Sequence, residues 1–369
     1  MVPMHADLSF HGDSELADGL VDMAVNVRQG TPPRWLAERL REAVAAVAAY
    51  PDPRPATGAA ARVHGRPASE VLVTAGAAEA FTLIARAFSP RRAVIVHPQF
   101  TAPEAALRAA GRRVERVVLG GNFRLAPGAV PADADMVVIG NPTNPTSVLH
   151  PAGVIAALAR PGRLLVVDEA FADCVPGEPE SLAGRRGLPG LIVVRSLTKT
   201  WGLAGLRAGY VLAGAACVRA MERVRPPWAV SSPALAAVVA CCGARARAEA
   251  ARWAAGMGAE RERLIAALNA IDGVAVTPGA RASFLLLRIC PGGRARHRTQ
   301  AENTGLAGPG GRAGYGARVR AGLRAAGFAV RRGDTFPGLG PDWLRVAVRD
   351  RATNERFAAA LRAVMRELA

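Results

Sequence analysis

Short unbroken apolar runs recur through the first 200 residues: EVLVTAG (70–76), AVIVH (93–97), MVVIG (136–140), LLVVD (164–168) and LIVVR (191–195). They are rich in β-branched residues and predict strands buried on both faces. Stretches at helical period lie between several of them, AAEAFTLIARAF (77–88) being one. Strands alternating with helices predict an α/β fold with a mainly parallel sheet. Ahead of them, TPPRWLAERLREAVAAVAAY (31–50) reads as a helix with Thr31 as its cap and prolines in its first turn. After about residue 215 the pattern changes. A long helical region spans roughly 233–271, followed by SFLLLRI (283–289), a helix near 314–326, WLRVAVR (343–349) and a last helix. These predict a smaller α+β lobe. The expected division is a large lobe over 45–250 and a small one from 1–44 and 251–369. Within the small lobe, 291–316 is rich in Gly, Arg and polar residues without period, and reads as a loop or insertion.

Composition sharpens this picture at one point. The 369 residues include 47 Lys plus Arg, and Lys199 is the only lysine. Arginine replaces lysine at little cost wherever only a solvated charge is needed. It cannot replace an amine that must lose its proton, so Lys199 is a candidate for chemistry. The net charge of +17 is scattered. There is no long basic run and no interleaved aromatic platform, so a nucleic-acid partner is not expected. Five cysteines without a CxxC spacing argue against a metal site or a disulfide framework and fit a reducing, cytoplasmic setting. No secretory signal is read at the N-terminus, and PALAAVVACCG (233–243) is too short to span a bilayer.

Several further candidates fall at predicted strand ends, where α/β sheets place ligands. Asp168 closes LLVVD, either to cap a turn or to pair with a cationic ligand group. Gly76 closes a strand just before a helix, where the amides of Ala77 and Ala78 could meet a phosphate; one such glycine is a weak signal. NPTNPTS (141–147) fixes Asn144 between prolines, and Ser196 and Arg207 flank Lys199. A hydroxyl and a guanidinium fork suit a phosphate. Together these groups supply what pyridoxal phosphate needs: an amine for its aldehyde, a carboxylate for its ring nitrogen and a phosphate cup.

NPTNPTS, VVDEAF and SLTKTWGLAGLRAGY, in that order, resemble the fold-type I pyridoxal-phosphate enzymes of the aspartate aminotransferase superfamily. Within it they are similar to the histidinol-phosphate aminotransferase branch, and closer still to the threonine-phosphate decarboxylases of the cobalamin pathway. The resemblance implies a seven-stranded, mainly parallel sheet in the large domain. It makes Lys199 the covalent anchor and proton carrier, Asp168 the partner of the ring nitrogen, and Asn144 the donor to the ring oxygen. Ser196, Arg207 and the Gly76–Ala78 turn form the phosphate cup, and Phe100 stacks on the ring. Tyr50 reaches the neighbouring subunit's cofactor phosphate, implying a homodimer. Arg345 grips the substrate carboxylate, and Asn26 and Arg331 join it in binding substrate.

Two positions depart from the usual pattern. Phe171 stands where many aminotransferases carry a tyrosine, and Ser147 where a glycine usually ends the asparagine motif, a change read as tolerable because both are small. HGD (11–13) resembles an N-terminal element of the cobalamin branch whose histidine lies near the substrate phosphate; His11 reads equally as a surface histidine. The implied activity is threonine-phosphate decarboxylation first, with histidinol-phosphate-like transamination as the alternative. A non-catalytic pyridoxal-phosphate-binding regulator is a remote third, since no room is seen for a DNA-binding module.

Overall fold

The computed structural model describes residues 7–291 and 314–369, so most of the loop expected at 291–316 lies outside the described residues. In chain order the strands are β1 (Val21–Asp22), β2 (Val71–Thr74), β3 (Ala93–His97), β4 (Val114–Val118), β5 (Met136–Gly140), β6 (Leu164–Asp168), β7 (Leu191–Ser196), β8 (Gly209–Ala213), β9 (Val274–Val276), β10 (Phe284–Ile289), β11 (Phe328–Ala329), β12 (Arg331–Arg332) and β13 (Trp343–Ala347).

The apolar runs form a seven-stranded sheet in the order β2-β8-β7-β6-β5-β3-β4. Only β8 runs against the rest, pairing antiparallel with both β2 and β7. The link from β7 to β8 holds a single short helix, Thr198–Trp201, too little to carry the chain back along a parallel crossover. Alternate residues serve opposite faces. Val94, Val137, Ile139, Leu165, Val167 and Val193 belong to one apolar core, while Ile95, Met136, Val138, Val166, Ile192 and Val194 belong to another. Helices cover both faces, which is why these strands carry no polar alternation.

A second sheet, in the order β12-β13-β10-β9, packs with the long helix Ala244–Asn269 and the C-terminal helix Arg351–Glu367 around its own core. The N-terminal segment joins this half through β1, which pairs in parallel with β11.

Two local expectations are corrected and one is refined. The helical region expected over 233–271 holds two helices, Ser232–Cys241 and Ala244–Asn269, with Cys242 and Gly243 between them. Thr31 is not a helix cap: its hydroxyl donates to Arg28 O at 2.6 Å, and the helix Arg34–Ala45 starts after Pro33. Ser147 is not tolerated through small size alone. Its backbone is left-handed, φ 63°, a conformation that favours glycine. The serine side chain compensates, its Oγ accepting from the amides of Arg281 at 3.1 Å and Ala282 at 2.8 Å.

Candidate active site

The carboxyl ends of β2, β3, β5, β6 and β7 share one edge of the large sheet, and the turns leaving it carry Gly76, Phe100, Asn144, Asp168, Ser196 and Lys199. Gly76 has φ +75° and opens the helix Gly76–Ala87. A β-carbon there would lie 2.8 Å from Arg207 Nη2, so the missing side chain lets the guanidinium rest on the first helical turn. The amides of that turn, those of Ala77 and Ala78 included, have no acceptor within the helix. With Arg207 beside them they form an anion cradle. Arg207 is itself left-handed, φ 58°, and is steadied by a bond from Nη1 to Ala204 O at 2.9 Å. Ser196 ends β7, its Oγ accepting from Thr198 N at 3.2 Å.

Lys199 lies on the single turn Thr198–Trp201, with Gly202 behind it in the left-handed conformation. Its carbonyl accepts from the amide of Arg28 at 2.8 Å, tying the N-terminal segment to the turn. Burial, then the positive charges of Arg345 and Arg207, pull the amine down from 10.5 to about 8, with Asp168 opposing. Asp168 is buried, and burial raises its carboxyl to about 6, against a bond from Ala170 N and the attraction of Lys199. Phe171 is buried edge-to-face on Phe284 at 4.8 Å, and Lys199 Nζ lies 5.7 Å from its ring centre.

Arg345 comes to this edge from β13 and is 5% exposed. Its Nη1 donates to Asn144 Oδ1 at 2.6 Å, and its Nη2 to Ala24 O. With its amide oxygen turned to the guanidinium, Asn26 accepts from Nη1 at 3.1 Å and Nε at 3.2 Å. Asn144 therefore spends its oxygen on Arg345 and keeps its NH₂ for another partner. Arg331 is paired directly across from Arg345 on β12. It is buried between the rings of Phe10 (4.5 Å) and Phe336 (4.8 Å) and donates to Phe10 O at 2.9 Å. His11 is exposed, its ring 5.8 Å from that of Phe100.

Lys199, Asp168, Asn144, Arg207, Arg345, Asn26 and Phe171 are thus linked by contact or charge. Tyr50 stands apart: it is 77% exposed and stacks on Trp228 at 4.3 Å. Three participants escaped sequence reasoning: the carbonyl of Ala24, the backbone of Gly12 beneath which Arg345 lies, and Arg349. The Arg349 guanidinium donates to the carbonyls of Asp22, Val25 and Val27 at 2.8, 2.7 and 2.7 Å, fixing the segment that carries Ala24 and Asn26. Among the described residues no cluster of ligating side chains suits a metal ion, and no helix is long and apolar enough to cross a membrane.

A group that fits this edge brings an anion to the start of Gly76–Ala87, a carbonyl to Lys199 and a basic ring atom to Asp168. Pyridoxal 5′-phosphate carries all three. The family model for aminotransferase class I and II matches residues 18–361, and the chain belongs to that family. It is 46% identical over 343 residues to a histidinol-phosphate aminotransferase of Mycobacterium bovis, covering 92% of this chain and 86% of that protein. A threonine-phosphate decarboxylase of Salmonella typhimurium is 30% identical over 365 residues, covering 95% and 93%. The solved histidinol-phosphate aminotransferase of Sinorhizobium meliloti in complex with pyridoxal 5′-phosphate matches the fold with a TM-score of 0.79 at 22% identity, over 100% of this chain and 99% of that one. The protein is a pyridoxal-phosphate-dependent enzyme. The relatives favour the histidinol-phosphate reading over the decarboxylase reading that the sequence placed first.

Proposed function

We propose that the protein transfers the amino group of a small phosphorylated substrate of the histidinol-phosphate type. The observation that carries this reading is the 46% identity, over nearly the whole chain, to a protein named for that reaction. When bound, pyridoxal phosphate supplies a ring that can accept the electrons of a bond broken at the substrate's α-carbon. The chain's own residues supply the rest. Arg207, Ser196 and the amides of Ala77 and Ala78 hold the cofactor's phosphate. Asp168, ionised, would pair with the ring nitrogen, and the NH₂ of Asn144 would donate to the ring oxygen. Phe100 covers one face. Arg345, with Asn26 and Asn144 fixing its fork, grips an anionic group of the substrate, with Arg331 and His11 nearby. Lys199, whose amine burial and the nearby guanidinium groups lower to about 8, would take a proton from the substrate's α-carbon and hold it for return.

A second reading, threonine-phosphate decarboxylation, is supported by the HGD element at 11–13 and by the decarboxylase relative that spans 95% of the chain. Histidinol phosphate has no carboxylate to lose, so Arg345 would hold its phosphate; threonine phosphate carries both anions, and its fate depends on which of the two Arg345 holds. The two lobes, 45–250 binding cofactor and the remainder closing on substrate, belong to this reading. So does a homodimer in which Tyr50 reaches the partner's site. The exposed apolar residues Val44, Val47, Tyr50 and Trp228 support the dimer, and the unpaired cysteines suit a cytoplasmic setting.

The test is a product assay on the cofactor-loaded protein, followed by mass spectrometry. L-histidinol phosphate with 2-oxoglutarate should yield glutamate over repeated turnovers. Release of carbon dioxide from L-threonine O-3-phosphate without a keto acid would instead establish the second reading. Turnover of neither would overturn both.

A further inference from the structure

We infer that Gly12 is a positioning residue for substrate binding: the N-terminal strap closes over Arg345 because position 12 carries no side chain. This rests on the reading of Arg345 as the substrate's anion clamp. The strap, residues 8–15, crosses from one half of the molecule to the other. Leu8 O accepts from Thr101 Oγ1 at 2.8 Å, beside the helix Ala102–Ala109 of the large sheet. Phe10 O accepts from Arg331 Nη2 at 2.9 Å. The Glu15 carboxylate accepts from Arg320 Nη1 at 2.6 Å and from the amide of Arg332 at 3.1 Å, and its carbonyl accepts from Arg324 Nη1 at 2.8 Å. Both ends are therefore held by side chains of the two halves, and Gly12 opens the short 3-10 turn between them.

A β-carbon on residue 12 would lie 2.8 Å from Ala24 O and 3.3 Å from Arg345 Nη2. The first is closer than carbon and oxygen can pack, so something must move. Ala24 cannot easily be the part that moves. Its amide donates to Asp22 Oδ1 at 2.8 Å, its carbonyl accepts from Arg345, and the carbonyls of Asp22, Val25 and Val27 on either side are bound by Arg349. The floor is fixed and the roof lifts. Lifting admits water to a guanidinium that is 5% exposed, and its attraction for an anion falls as the local dielectric rises. Gly76, Arg207 and Asp168, which would hold the cofactor, lie elsewhere on the sheet edge; Asn144 and Phe100 meet the strap only through Arg345 and the His11 ring, so the cofactor keeps its main anchors.

The experiment compares Gly12→Ala with Gly184→Ala in the cofactor-loaded enzyme; a β-carbon at Gly184 meets nothing within 4 Å. Cofactor absorbance, amide hydrogen exchange of a peptide covering residues 8–16, and KM and kcat on the substrate found by the product assay are measured. Gly12→Ala should keep the wild-type absorbance and exchange faster in the strap. Its KM should rise about tenfold, the scale of one weakened charge-assisted contact, with kcat within about twofold. Gly184→Ala should match wild type throughout. Unchanged strap exchange in Gly12→Ala overturns the proposal, as does a fall in kcat at constant KM, or faster exchange with an unchanged KM. If the wild type turns over neither substrate, the proposed function fails separately. Inorganic phosphate, titrated against the cofactor absorbance, then gives the affinity: about tenfold weaker binding to Gly12→Ala supports the proposal, and equal binding overturns it.

Discussion

Replacing Lys199 with methionine should stabilise the cofactor-free protein at neutral pH, and the gain should vanish in alkali. Burial next to Arg345 and Arg207 lowers the amine from 10.5 to about 8. Below pH 8 the folded chain holds a charge that its surroundings disfavour, and the unfolded chain does not suffer this. Between about pH 8 and 10.5 the unfolded state binds more protons than the folded one, so stability rises with pH across that window, and above it the penalty is gone. At about 1.4 kcal/mol per pH unit the full penalty is about 3 kcal/mol. Lys199 keeps some access to the cleft, and Asp168 loses an attractive neighbour when the amine is removed, so the realised gain should be about 1–3 kcal/mol. Methionine matches the length of the stem without a charge. Urea unfolding of both cofactor-free proteins at pH 7 and pH 10.5 gives the two differences directly. An equal difference at both pH values would refute the electrostatic origin, and a loss of stability at pH 7 would refute the strained amine altogether.

Gly76→Ala forces a side chain into a left-handed position and against Arg207; the dissociation constant for pyridoxal phosphate, read by absorbance titration, should rise about tenfold or more. Ser147→Ala keeps the strained backbone but removes the acceptor for the amides of Arg281 and Ala282; denaturation should show a loss of about 1–3 kcal/mol, and an unchanged midpoint would show that these bonds contribute nothing.

What the sequence made legible has a common physical basis. The strands of the large sheet are buried on both faces, so their residues had to be continuous apolar runs. Asp168 and Ser196 end such runs, Lys199 follows one by three residues, and Gly76 opens the helix behind another. Local order therefore placed them on one edge. Lys199 was also marked by its uniqueness among basic residues. The contacts around Arg345 were hidden for the opposite reason. Its bonds to Ala24 and Asn144 span 321 and 201 positions, and the first is to a backbone carbonyl that any residue could supply. The need for a left-handed backbone at residue 147 was masked because serine stands there instead of glycine. The break between Cys241 and Ala244 falls within a run whose composition is helical on both sides. The choice between transamination and decarboxylation depends on the rotation of a bound substrate by a fraction of a turn, and residue identities alone do not encode that angle.

The solitary lysine also turns the chain into its own reporter. Forty-six arginines carry the remaining positive side chains, so Lys199 offers an amine-seeking label its only side-chain target. The fraction of chains left unlabelled there then measures how many active sites are occupied, without any catalytic assay. A lysine-directed protease has a single bond to cut, after residue 199, which would part Asp168 from Arg345 and leave neither fragment with the whole site. Resistance of that one bond would read out, in a single gel band, whether the turn that carries the chemistry is closed.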